Sequence, residues 1–112
     1  MSLELAQTIL EQIKIGKDAE NNRDGHHLTK CWGTEQFVAI KATDKHHGGL
    51  KLIVNGGFHT GDVDVTLNKV DTYNVDFIDV KGDLKHTIND VHHEDLTSVI
   101  DSYIESNLMN HH

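Results

Sequence analysis

Proline is absent from this chain, and cysteine occurs once, as Cys31. Without proline no loop is stiffened by a fixed φ, so unusual backbone angles fall mainly to the 9 glycines. A lone cysteine excludes an intramolecular disulfide, which suits a reducing compartment. Every apolar run is far shorter than the roughly 20 residues that span a bilayer, and Met1-Ser2-Leu3-Glu4 lacks the basic-then-apolar order of a secretory signal. The expectation is a soluble, cytoplasmic protein with no membrane partner. Positive charge is scarce in one half only: residues 57–112 carry 11 acidic and 3 basic side chains, whereas residues 1–56 carry 7 of each. The net charge of -8 therefore sits in the second half. Phosphate recognition needs a concentrated positive surface, so direct nucleic-acid binding is not expected. A basic protein partner, a cation, or solubility alone remain.

Catalytic signatures are missing too. Gly48-Gly49 and Gly56-Gly57 lack both the lysine-serine/threonine ending of a phosphate loop and the dinucleotide fingerprint. Ser98 and Ser102 read as polar-face residues of a helix, and there is no His-Glu-x-x-His or Cys-x-x-Cys. Enzyme activity is left undecided, and the balance is against it.

What is present reads as helix, sheet, helix in one α+β domain over residues 1–112, a size suited to one core. Leu3, Ala6, Ile9, Leu10 and Ile13 recur at helical spacing, with Ser2 as cap and Gly16 as stop. Phe37 to Ala42 reads as a strand, and His27 to Trp32 as a strand before it, joined by Gly33-Thr34. Leu50 to Val54 alternates before Asn55-Gly56-Gly57, a tight-turn sequence. Val63 to Leu67 and Tyr73 to Phe77 form an antiparallel pair with Val63, Val65, Leu67, Tyr73, Val75 and Phe77 inward. Leu84 to Ile88 adds a last strand. The sheet is mostly antiparallel, with about four to six strands, and is flanked by the N-terminal helix and a C-terminal helix from about His93 to Leu108. Leu96, Val99, Ile100, Tyr103 and Ile104 make the stripe of that second helix. Cys31 and Trp32 read as a half-buried core pair.

The run from Asp62 to Phe77, Val-x-Val-Thr-Leu-Asn followed by Asp-Thr-Tyr-x-Val-x-Phe, resembles one recurring in small uncharacterised proteins of bacterial phages and mobile elements. The resemblance covers 16 residues and implies a small accessory protein; it carries no catalytic residue.

Two residue sets carry chemistry. His46, His47, His59, His86, His92 and His93 are candidate metal ligands, since neutral imidazole binds zinc, copper or nickel; a transition-metal ion is the one cofactor the sequence suggests. Adjacent histidines on a strand point to opposite faces, however, and His27 and Cys31 on a strand stand about 13 Å apart. Asp62, Asp64, Asp76 and Asp79 form the second set, a candidate binding surface on the wet side of the sheet. Three classes follow: an accessory or regulatory interaction module with an acidic sheet surface, a histidine-based metal-binding protein or metal-assisted enzyme, and a nucleic-acid-mimicking inhibitor of a basic protein. A free sheet edge also permits a homodimer.

Overall fold

The computed structural model of the chain describes residues 2–17, 25–55 and 60–109. The fold is α+β. Helix α1 (Ser2–Ile15) and the short α2 (Gly25–Cys31) precede strands β1 (Thr34–Ile40), β2 (His46–Asn55), β3 (Thr60–Asn68), β4 (Tyr73–Asp79) and β5 (Leu84–Val91). A 3-10 turn (His93–Asp95) then leads into helix α3 (Leu96–Met109). The strands form one antiparallel meander in the order β1-β2-β3-β4-β5, within the expected strand count.

Strand alternation selects the core. Leu50, Leu52 and Val54 of β2, Val63 and Val65 of β3, and Tyr73, Val75 and Phe77 of β4 are all buried, with Leu67 packed at their margin. Successive residues point to opposite faces, so this set defines one apolar face, and the helices cover it. Ala6, Ile9 and Ile13 supply the buried stripe of α1, while Leu96, Ile100 and Ile104 supply that of α3. Leu3 departs from the expected stripe: it is 63 % exposed, because the buried face is centred on Ala6, Ile9 and Ile13 and Leu3 lies in the first turn.

Three hydrogen bonds lock the helices in place. The Thr97 hydroxyl donates to the Ile13 carbonyl at 2.6 Å, tying α3 to the end of α1. The Tyr73 hydroxyl donates to Gln12 Oε1 at 2.7 Å, tying α1 to β4. The Trp32 indole N–H donates to Asp101 Oδ1 at 3.0 Å in the interior, so a buried carboxylate receives a partner. Buried polar groups are tolerated only when paired, and each of these bonds also fixes a helix register.

The expected strand from His27 to Trp32 is instead α2. Leu28 and Trp32, four apart, are both buried, whereas Lys30, which a strand would align with them, is exposed. A helical period satisfies that pattern and a period of two does not. Cys31 consequently faces solvent, so the half-buried Cys31–Trp32 pair is half right: only the tryptophan is inside. The assumed 13 Å separation of His27 and Cys31 also lapses with the strand; the His27 side chain lies outside the described residues. Gly56 and Gly57 of the expected turn lie outside them as well.

Two tight turns share one device. After β3, Asn68 Oδ1 accepts the backbone N–H groups of Val70 and Thr72, and Asp71 takes φ 64°. After β4, Asp79 Oδ1 accepts those of Lys81 and Asp83, and Gly82 takes φ 86°. Side-chain capture of the backbone two and four residues on is the reason Asn and Asp favour such positions. Gly61 is different. A side chain there would strike the Ile78 carbonyl across the β3–β4 ladder, and its φ of 138° excludes other residues besides.

Candidate functional site

Among the described residues no helix covers the second face of the sheet, and pleat parity populates it in cross-strand rows. The central row runs through all five strands: Val38 pairs with Lys51, Lys51 with Asp64, Asp64 with Asp76, and Asp76 with Thr87. Beside it lies Gln36, Ile53, Asp62, Ile78 and Leu84. Lys51 Nζ stands 3.3 Å from Asp62 Oδ2 and 3.8 Å from Asp64 Oδ2. Asp76 Oδ1 accepts the Thr87 hydroxyl at 2.8 Å. Asp64 Oδ1 is buried without a hydrogen-bond partner among the described residues.

The arrangement perturbs Asp64. Desolvation between neighbouring side chains raises its pKa from 3.8 to about 6; Lys51 opposes the rise, and Asp62 and Asp76 add to it. The sign follows from proton linkage. The folded state binds this proton more tightly than the unfolded chain, so the Asp64 contribution to stability is fully present below pH 3.8 and is lost as pH rises through about 6. Asp64→Asn, neutral at every pH, should therefore be more stable than the wild type at pH 7 by about 1–2 kcal/mol, a value reduced for the partial solvent screening of this face. At pH 4 most of that advantage should be gone. Urea unfolding of both proteins at the two pH values checks this, and a difference independent of pH would remove the assigned burial effect.

Of the four expected acidic residues, the structure brings Asp62, Asp64 and Asp76 together on the open face. Asp79 stands apart. Pleat parity aligns it with Phe77 and Val75 rather than Asp76, and its carboxylate serves the β4–β5 turn. Its pKa is lowered, first by the N–H of Asp83 and then by those of Lys81 and by Lys85, whose Nζ lies 3.4 Å away. An open cleft of about 390 Å³ at that end of the sheet is lined by Glu35, Asp62, Asp79 and apolar neighbours including Ile53 and Val80.

Among the described residues the candidate histidines fall in three separate places. His46 and His47 open β2, where His46 Nδ1 accepts the Gly48 N–H at 2.9 Å. His86 lies in β5 with its ring parallel to Tyr103 at 5.1 Å. His92 and His93 are exposed just before α3, and His92 occupies the cap position without a side-chain capping bond. His59 lies outside the described residues. Among the described residues, no group of three or more His, Cys, Asp and Glu side chains gathers as a metal site requires.

Sequence reasoning missed Lys51 and Thr87. Lys51 was visible as the polar member of Leu50-Lys51-Leu52, but its position among the acids depends on β2 lying beside β3, which alternation does not encode. Exposed Val38, at 41 %, and Leu84, at 60 %, flank the charged rows and give the open face apolar margins. No helix among the described residues is long and apolar enough to cross a membrane. Comparison of the chain with models of known protein families, with curated proteins and with solved structures yields no match.

Proposed function

We propose that the protein is a small accessory or regulatory module that binds a basic protein partner through the helix-free face of its sheet. The observation that carries this reading is the gathering of Asp62, Asp64 and Asp76 on one uncovered face, bordered by exposed apolar side chains. A lysine or arginine delivered to this face meets a carboxylate, Asp64, that is short of a hydrogen-bond partner, and its arrival offsets the desolvation that raises the Asp64 pKa. The net charge of -8 speeds encounter with a positive partner and repels acidic competitors. An accessory role is also what the resemblance of the Asp62–Phe77 run implies. Mimicry of nucleic acid gains less support, because Lys51 pairs with Asp62 and Asp64 and offsets part of the negative charge of the face.

The test is a titration of the labelled protein with a short lysine- and arginine-rich peptide, followed by backbone amide NMR. Shifts should concentrate on the residues of β2, β3 and β4, weaken with added salt, and largely disappear in Asp62→Asn/Asp76→Asn. A response spread evenly over the molecule, or one unchanged in that variant, overturns the reading.

A further inference from the structure

We infer that the free edge of β1 is a homodimer seam, in which two copies of the chain pair antiparallel about Val38. Among the described residues β1 is hydrogen-bonded on one side only, to β2. An edge strand presents unpaired backbone donors and acceptors, and proteins that remain monomeric blunt such edges with bulges, charges or short length. The other edge is blunted in this way. The β4–β5 ladder shifts register twice, Asp90 takes φ 59°, and exposed Lys85 and Asp90 lie on β5. β1 has a single register shift, at Glu35 between Thr34 and Gln36; from Gln36 to Ile40 it runs in unbroken register with no charged residue, and exposes Phe37 at 43 % and Val38 at 41 %.

Charge and size select both the occupant and the register. Antiparallel pairing centred on Val38 brings Glu35 of each copy, at the bulge that opens β1, toward Lys41 of the other, one residue past the end of the strand, two opposite-charge pairs flanking an apolar seam. The same register sets each Phe37 against Ala39 of the second copy, a large side chain over a small one, on the face where these residues meet Leu52 and Leu50. The two Val38 side chains meet at the axis on the open face. Paired residues in antiparallel strands point to the same side, so both acidic faces come to lie on one side of a continuous sheet of twice five strands. The seam and the acidic-face reading stand separately, and failure of one leaves the other untouched.

The experiment is sedimentation velocity on the full chain from low-micromolar to submillimolar concentration. The wild type should show a dimer that dissociates on dilution. Val38→Lys, a change at an exposed position, should be monomeric throughout, with unaltered far-UV circular dichroism confirming that it folds. Glu35→Lys and Lys41→Glu should each raise the dissociation constant roughly tenfold by placing like charges together, and the double reversal E35K/K41E should restore it to within a few-fold. A monomeric wild type, a dimer indifferent to Val38→Lys, or a double variant no better than the single ones overturns the proposal. Restoration is the outcome that other registers do not produce.

Discussion

Val65→Asp should abolish folding at neutral pH, whereas Asp64→Asn/Asp76→Asn should fold at least as well as the wild type. The two positions 64 and 65 are adjacent in β3 and face opposite ways. Val65 is fully buried at the centre of the sheet, opposite Leu50 on one side and Val75 on the other. A carboxylate introduced there has no described cation within the apolar layer, and burying an unpaired charge costs more than ~4 kcal/mol, a large share of the roughly 5–15 kcal/mol that holds a domain of this size together. Asp64 already occupies the wet side, where burial makes its charge unfavourable, so asparagine there relieves a cost. An asparagine in place of Asp76 can still accept the Thr87 hydroxyl bond through its carbonyl oxygen. Thermal melts followed by far-UV circular dichroism separate the outcomes. Equal loss of structure in both variants would mean that the two faces are assigned the wrong way round.

The inward and outward sides of β3 and β4 were legible because a period of two over Val63 to Leu67 and Tyr73 to Phe77 admits one division into faces. Helices α1 and α3 were legible for the same kind of reason, with apolar residues at three- and four-residue spacing. Residues His27 to Trp32 were not, because six residues with one apolar residue near each end fit either period until Leu28 and Trp32 are seen buried together and Lys30 exposed. The acidic site was legible strand by strand: Asp62 and Asp64 share a face by parity alone. Their relation to Lys51 and Asp76 depends on strand order and register, which arise from the whole sheet. Asp79 illustrates the limit of counting acids, since one extra step beyond Ile78 reverses its side and the β4–β5 turn takes up its carboxylate.

Phe77→Ala should cost about 3–5 kcal/mol, the range for deleting a fully buried aromatic side chain. Phe77 is where β4, β5 and α3 meet. Its ring stacks on Tyr103 of α3 with centroids 3.9 Å apart, and His86, its partner across the β4–β5 ladder, lies 6.3 Å away with its own face toward Tyr103. Removing the ring leaves a cavity under Tyr103 and deletes an aromatic pair worth about 0.5–1.5 kcal/mol beyond the area it buries. The meander restricts collapse, because Val75 and Val63 are themselves fixed in the ladder on either side. Phe77→Leu retains most of the volume, and its cost should stay near or below about 1.5 kcal/mol. Urea unfolding monitored by fluorescence of Trp32, the one tryptophan and a buried one, measures both changes. If Phe77→Ala costs no more than Phe77→Leu, the Tyr103 stack does not anchor α3 to the sheet, and the closure of the core at its β5 end must rest on Val91 and Leu96 instead.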